Sequence, residues 1–580
     1  MRSVDPALVA RLARAQGLPD LVARLLALRG HSDPHSAAAH LEAGLRTLHD
    51  PGLLPGVEQA GERLARAVRD AETILVHGDY DVDGVCGTAL LLELFRLVGA
   101  RAEPYIPDRL RDGYSFGPHS VERARSRGAS LIVSVDNGTS ARATIVDLAE
   151  LGIDTIVTDH HEPPEDPAEL PPAVALVNPK LAGSAYPFRE LCGSGVAFKL
   201  AWGLCQRLSG ARRVRDDLRL FLTDAMAYVA LATVCDVVPL VGENRVLARA
   251  GLRALEASRR AGLRALLEAS GLSARALCAE DVAFKLGPRL NAAGRLGSAD
   301  RALELLVCGE NERARELARE LDTLNDERRR VEAGILAQAI EAAAPYADPC
   351  EHPLLVLAGQ GWHQGVVGIV AARLARRVAR PALVIGLDGE AGRGSARSVR
   401  GFDLLAALRG GAQHMLRFGG HEQAAGCEVR ADAVDALRES LCAKARELLA
   451  GGALPDTGLW IDAELSLEGM SPQLMRLIER LEPFGPSNEA PVLLSSDARL
   501  AEPPRVVGSD RSHLVLQARR GERVLKALAF GMAHRAGELA QGAPLHLVYS
   551  PRWNVFRGES TLELVLHDFA VGPRPALGSS

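Results

Sequence analysis

The chain is 580 residues long, 47% hydrophobic and 24% charged, which fits a globular protein of several domains and excludes fibrous and extensively disordered classes. A formal net charge of −5 gives no overall attraction to a polyanion, so any nucleic-acid contact must rest on local basic patches and bound cations. The opening segment MRSVDPALVARLARAQG has no unbroken apolar stretch, the apolar run Ala225 to Cys235 is too short to span a bilayer, and the cysteines form no CxxC pair; no membrane association, disulfide framework or structural zinc is expected, and a reducing cytoplasm fits best.

Residues 1–70 read as short Ala/Leu/Arg helices broken at Asp33-Pro34 and Asp50-Pro51, an N-terminal helical cap. From Thr73 the pattern alternates. TILVH, LIVSV and TIVTD read as strands and VCGTALLLELFRLVG and SARATIVDLAELG as helices, which predicts a parallel α/β lobe over 71–300. The charged, Leu/Ala-rich stretch 301–347 predicts a long helical connector. A second α/β lobe follows over 348–452, with strand-like LLVLAG and ALVIGL around helix-like VVGIVAARLARRVA. After the turn-rich GGALPDTG, the runs WIDAEL, PVLLSS, HLVLQA, VLKALAFG, LHLVYS and TLELVLHDF predict an OB-like β-barrel over 456–572. The fold class is therefore two α/β lobes, a helical connector and a C-terminal barrel.

The chemistry concentrates in the first lobe. HGDYDVDG sets Asp79, Asp81 and Asp83 at alternate positions directly after a strand; LIVSV ends at Asp136, and TIVT ends at Asp159-His160-His161. Carboxyl ends of neighbouring parallel strands converge on one crevice. Asp236, leaving an apolar run before Val-Val-Pro, is expected to point there too. Taken singly, each has a plainer explanation: a solvated acidic loop, a helix cap at Asp136, a satisfied core histidine at His160. Their coincidence at several strand and helix ends favours a metal centre. Carboxylates and imidazoles without thiolate suit Mn²⁺ or Mg²⁺, and two such ions sharing a carboxylate suit phosphoester hydrolysis.

These residues resemble the DHH phosphoesterase superfamily, whose eponymous tripeptide stands here as Asp159-His160-His161. HGDYDVDGV, SVDNG, VTDHH, TVCDVVPL, GPRLNAAGRLGSA, GWHQGVVGIVAARL, GSARSVRGFDL, GGHEQAAG and LEPFGPSNEAPVL, in this order, are similar to its bacterial single-strand-specific exonucleases from about Thr73 to Phe569. The resemblance implies a DHH lobe, a DHHA1 substrate-binding lobe and an OB-fold. It implies that His77, Asp81 and Asp136 hold one ion and Asp83, Asp136, His160 and Asp236 another, with Asp136 bridging. Asp79 is expected as an outer orienter and His161 as a phosphate-side or proton-handling residue. It further implies 5′-to-3′ degradation of single-stranded DNA to nucleotide 5′-monophosphates in recombination and repair, by a monomer working with a single-strand-binding protein and a helicase. The sequence departs from the family at Gly485-Pro486-Ser487-Asn488-Glu489, where Gly-x-Gly-Asn-Pro is usual, and at Cys235, where a small Ala is usual. The first change is expected to alter the lobe-to-barrel junction and not the chemistry.

For DNA, the Gly-rich loops around Arg393, Ser395, Arg397 and Arg400 and around His421 let a backbone approach phosphate, and the resemblance gives Ser395 and Arg397 the 5′-phosphate. Arg109, Tyr114, Arg289, Asn291, Arg295 and His363 are expected to line the same cleft, with Tyr114 or Trp362 stacking a base. The plainer reading is solvated loops whose arginines pair with nearby acids. In the barrel, Arg552, Trp553, Phe556 and Arg557 interleave charge and aromatic surface. Two other classes compete: a DHH enzyme of small phosphate substrates, which would lack the barrel, and a catalytically silent DNA-binding scaffold, which need not retain every ligand.

Overall fold

A computed structural model describes residues 1–109, 111–112, 116–273, 275–449, 458–508, 511–539, 542–556, 559–574, 576 and 578. Residues 451–457 of the expected linker GGALPDTG, and Tyr114, lie outside the described residues. In the first lobe β1 (Thr73–Gly78), β2 (Arg101–Tyr105), β3 (Leu131–Val135), β4 (Asp154–Thr158) and β5 (Ala175–Val177) form a parallel sheet in the order β2-β1-β3-β4-β5. Their near-continuous apolar runs follow from burial on both faces. Ile74, Val76, Leu131, Val133 and Ile156 point into the large core on one side, while Leu75, Ile132 and Val157 point into a smaller core on the other. The apolar helix Asp216–Cys235 is mostly buried in the larger core, packed against helices Val82–Leu97 and Gly193–Ser209.

The second lobe carries β6 (Leu355–Gln360), β7 (Ala382–Asp388), β8 (Ala391–Arg397), β9 (Met415–Gly420) and β10 (Ala424–Arg430) in the order β6-β7-β8-β10-β9. Only the β6–β7 pair is parallel. Between the lobes runs helix Asn311–Ala342, whose 32 residues make a strut of roughly 48 Å at about 1.5 Å per residue. Its first half puts Ala314, Leu317, Ala318 and Leu321 into the first lobe's core, and its second half puts Ile335 and Ala339 into the second lobe's. One rigid element therefore fixes the spacing of the two lobes.

The terminal sheet, β11 (Ala463–Glu464), β12 (Leu493–Leu500), β13 (Arg505–Val507), β14 (His513–Arg520), β15 (Arg523–Ala529), β16 (Leu545–Phe556) and β17 (Glu559–Val571), runs β11-β12-β16-β17-β15-β14-β13. The additional β12–β14 pairing closes β12, β16, β17, β15 and β14 into a ring with a parallel β15–β17 pair. That is the Greek-key closure of an OB barrel.

The expected single cap over 1–70 is divided. Helices Pro6–Gln16, Asp20–Leu28 and Pro34–Glu42 bury Leu12, Val22, Leu25, Leu26 and Leu41 in the same core as Leu467, Met470 and Tyr549 of the barrel region. Helix Val57–Arg69 buries Val57, Ala60, Leu64 and Ala67 in the first lobe. The reason is partnership: the leucine stripe of the first helices can be hidden only against another apolar face, and the barrel supplies it. Chain start and chain end thus form one terminal unit, tied also by Arg24 Nε donating to Asp462 O at 2.6 Å. Leu25→Ala removes a fully buried side chain from that shared core and is expected to cost about 2–5 kcal/mol. In calorimetry of the full chain the transition of the barrel unit should fall while that of the first lobe stays in place; the reverse pattern would assign the helices to the first lobe.

Candidate two-metal centre and the cleft facing it

The parallel sheet brings the acids together. β1, β3 and β4 are neighbours, so Asp79 to Asp83, Asp136 and Asp159 to His161 all leave the same sheet edge; Asp79 N donates to Val135 O at 3.2 Å and Asp136 N to Thr158 O at 2.9 Å. Asp236 joins them as the C-cap of helix Asp216–Cys235. Three groups of donor atoms result, each within 4.8 Å: Asp79, Asp81 and Asp136; Asp83, His160 and Asp236; and Asp136, His160 and His161. Asp136 Oδ1 lies 3.1 Å from His160 Nε2, which is 3.6 Å from Asp236 Oδ2 and 3.9 Å from Asp83 Oδ2. Asp136 thus joins the Asp79–Asp81 group to the two histidines, and it adopts a left-handed backbone, φ 64°, a strained conformation for a non-glycine residue that tends to persist where function requires it.

Backbone groups hold the ring of acids open. Asp81 Oδ1 caps helix Val82–Leu97, accepting from Asp83 N at 2.8 Å and Gly84 N at 3.2 Å. Asp83 accepts from Gly193 N at 2.6 Å and Ser194 N at 2.7 Å, at the start of helix Gly193–Ser209. Two helix N-termini therefore offer partial positive charge here. Gly193 is needed for this approach, since a Cβ there would lie 2.5 Å from Asp136 Cβ.

Electrostatically the centre calls for cations. Burial, then the repulsion of neighbouring carboxylates, lifts Asp79, Asp136 and Asp236 well above the usual carboxylate range. Asp83 is raised first by burial, with His160 opposing. Burial pushes the His160 imidazole down to about 4, leaving it neutral and fit to donate a lone pair. Asp79 Oδ1, Asp136 Oδ1, His160 Nε2 and Asp236 Oδ2 are buried without a hydrogen-bond partner. Buried polar atoms are normally satisfied, so converging orphans with carboxylate and imidazole chemistry fit a pair of hard divalent ions.

Sequence reasoning passed over Asp159 as a working residue. Its carboxylate accepts from Thr139 N at 2.9 Å, His160 N at 2.7 Å, His161 N at 3.1 Å and, through Oδ1, contacts His161 Nδ1 at 2.7 Å. Burial would raise it, yet the hydrogen bond and charge of His161 hold it below the usual range. Burial would lower His161, but that bond together with the charges of Asp159, Asp79 and Asp83 outweighs burial and raises the imidazole, whose side chain is 46% exposed. Its signal was its place in the tripeptide.

His77 is not brought into any of the three groups. Its Nε2 is 2.9 Å from Ser120 Oγ, and its ring is enclosed by Tyr105 and Phe116, with burial pushing it down to about 3. Asp79, expected only to orient, stands with Asp81 and Asp136 in its stead.

Cationic side chains from both lobes gather near the acids. Arg109 stacks over Tyr80 at 5.1 Å; Arg295, pushed down to about 10 by burial and then by Arg109, Arg328 and Arg397, also donates to Gly365 O of the second lobe at 3.3 Å. Arg397 donates to Ser395 Oγ at 2.9 Å and is lowered by burial and then by Arg109. His363 is lowered by burial and then by Arg109, and His421 by burial, then Arg397, His161 and Lys180. Arg109, Arg295, His363, Ser395, Arg397 and His421 thus meet between the lobes, together with Lys180, which the sequence did not single out. Other expectations are corrected. Arg289 pairs with Asp322 at 2.9 Å on the connector. Asn291 Oδ1 accepts from Val82 N at 3.2 Å and so braces the acidic loop. Trp362 is 6% exposed and donates to Gln338 Oε1 at 2.6 Å, which makes it core. Arg393 pairs with Glu428 across the β8–β10 ladder at 3.0 Å. Arg552 lies 3.7 Å from Glu563 and Trp553 packs on the barrel core, while Arg557 and the Phe556 side chain lie outside the described residues.

Because Asp79, Asp136 and Asp236 bind protons more tightly folded than unfolded, their contribution to stability is present below the unfolded carboxylate range and is lost as pH rises through their raised values. A cation must displace those protons. The rise in melting temperature caused by saturating Mn²⁺ should therefore grow from about pH 5 to about pH 7, and calorimetric titration in buffers of different ionisation enthalpy should register proton release. A shift independent of pH would contradict this electrostatic account.

Comparisons with known proteins agree with the geometry. Family models match as "DHH family, N-terminal domain" over residues 73–233, "DHHA1 domain" over 351–447 and "RecJ OB domain" over 461–568. The single-stranded-DNA-specific exonuclease RecJ of Bacillus subtilis is 36% identical over 557 residues, covering 95% of this chain and 68% of the relative; that of Escherichia coli is 35% identical over 561 residues, covering 95% of each. The crystal structure of RecJ in complex with Mn²⁺ from Thermus thermophilus superposes with a TM-score of 0.81 at 31% identity, over 99% of this chain and 79% of that one. The Mg²⁺ complex from the same source gives 0.76 at 29%, over 100% and 78%. With every lobe accounted for in order along its length, the chain belongs to the RecJ family of single-stranded-DNA-specific exonucleases.

Proposed function

We propose that this protein hydrolyses single-stranded DNA from its 5′ end, releasing nucleotide 5′-monophosphates in DNA recombination and repair. The observation that carries the reading is the position of Asp136, shared between two sets of ligand atoms near arginines contributed by both lobes. Asp79, Asp81 and Asp136 would hold one Mn²⁺ or Mg²⁺, and Asp83, Asp136, His160 and Asp236 the other. Bound there, the ions would activate water and offset charge on the phosphate.

The chain's own residues do the rest. Arg397, Ser395 and Arg109 grip the terminal phosphate, and Arg295 braces the lobes so that the scissile linkage lies over Asp136. His161, whose proton affinity Asp159 raises, donates a proton to the departing 3′ oxygen while the water's hydroxyl joins phosphorus. The shortened strand then presents its new 5′ end to the same pocket. A closed C-terminal barrel supports an extended strand in preference to a small phosphate substrate. The reading includes action as a monomer in the cytoplasm, fed by a single-strand-binding protein and a helicase.

End-labelled single strands with and without a 5′-phosphate test it directly. Mononucleotides should appear from the first turnover, blunt duplex should resist, and Asp136→Asn should abolish turnover in a folded protein. Arg397→Ala removes charged hydrogen bonds worth about 1.5–3 kcal/mol and should reduce use of the 5′-phosphorylated end by roughly 10–100-fold. Equal cutting of duplex, or full activity in Asp136→Asn, would overturn the reading.

A further inference from the structure

Asp236 differs from Asp81 and Asp83 in what holds it. Asp83 is fixed by two backbone amides and Asp81 by a helix start, but Asp236 Oδ2 is buried without a partner. Its placement therefore depends on its backbone, and that backbone turns sharply: Val237 is left-handed, φ 62°.

Further along the same segment, Leu240 sits in the first lobe's core, 1% exposed, and its N–H donates to Pro486 O at 2.8 Å. Gly485 backs the same leucine so closely that a Cβ there would lie 2.6 Å from Leu240 Cδ1 and 3.2 Å from Cγ. The loop 481–488 belongs to the terminal unit and is itself locked. Asn488, fully buried, donates to Leu481 O at 2.9 Å and Pro483 O at 2.8 Å and accepts from Arg29 Nε at 2.9 Å. From the first lobe, Arg245, 1% exposed, donates to His40 O at 2.6 Å, Arg480 O at 2.9 Å and Glu482 O at 2.8 Å. Asn244 Nδ2 adds a bond to Pro239 O at 3.0 Å. The segment between Asp236 and helix Gly242–Glu256 is thus gripped from both sides.

We propose that loop 481–488 is a positioning element for the metal ligand Asp236, with Gly485 and Asn488 as positioning residues, so that docking of the terminal unit sets how tightly the ion shared by Asp83, His160 and Asp236 is held. This rests on the two-ion reading of the centre. The loop does not touch the ion's ligand atoms; it fixes the backbone from which one ligand projects, as outer partners fix inner ones elsewhere. Ser487 has a left-handed φ of 60° in this loop, an uncommon conformation for a non-glycine residue.

Full-length protein titrated with Mn²⁺ in a calorimeter, with circular dichroism as the fold check, tests the proposal. Gly485→Val drives side-chain volume into Leu240 and should weaken one of the two ions by about 10-fold or more, leaving the other within about two-fold. Leu240→Ala in the same chain makes room and should restore the weakened ion, a rescue that general loss of stability would not show. If Gly485→Val does not fold, Gly485→Ala is predicted to give the same order of affinities at smaller amplitude. Unchanged affinities, equal weakening of both ions, or no rescue would overturn the proposal. Wild-type protein that takes up fewer than two Mn²⁺ per chain would instead overturn the two-ion reading itself.

Discussion

Mutual repulsion among carboxylates at one sheet edge is the constraint around which this protein is built. Asp79, Asp81, Asp83, Asp136 and Asp236 stand close together, most of them buried, where unit charges interact far more strongly than in water. Such a cluster is tolerable only with compensation. Part is permanent, in the amides of Gly193 and Ser194 and the starts of two helices. The remainder must be mobile cations, and the unpartnered oxygens of Asp79, Asp136 and Asp236 face where they would sit.

The rest of the architecture serves that edge. The connector helix holds the second lobe at fixed distance, so that Arg397 and His363 oppose the acids without collapsing onto them. A chain of net charge −5 can thereby still receive a polyanion: the acids are to be neutralised by ions, and the mutually repelling arginines Arg109, Arg295 and Arg397 are left to meet phosphate. The terminal unit, made from both ends of the chain, closes against the first lobe through Arg245 and Leu240.

What was legible in the sequence followed from periodicity and strand ends. Alternation of apolar runs identified the parallel sheet, and a parallel sheet gathers whatever residues end its strands, which is why Asp136, His160 and the Asp79 to Asp83 loop could be joined from the sequence. Asp236 was reachable because an apolar helix ending in an acid is unusual. Side-chain direction was not legible. His77 lies near the end of β1, yet its ring meets Ser120 and Phe116. Arg289 and Asn291 share a motif with Arg295, but on one helix they point to the connector and to the acidic loop respectively. Partner choice between distant segments was equally hidden: an amphipathic helix announces that it will be buried, not by what, so the first helices were assigned to a cap when their partner lies at the other end of the chain.

The central claim is that Asp136 is shared by two cations. Electron paramagnetic resonance of the full-length protein titrated with Mn²⁺ tests it most directly. The account predicts an exchange-coupled Mn²⁺ pair that grows in with the second equivalent and is absent from Asp136→Asn. Two magnetically isolated ions, or a coupled pair that survives loss of that carboxylate, would contradict it.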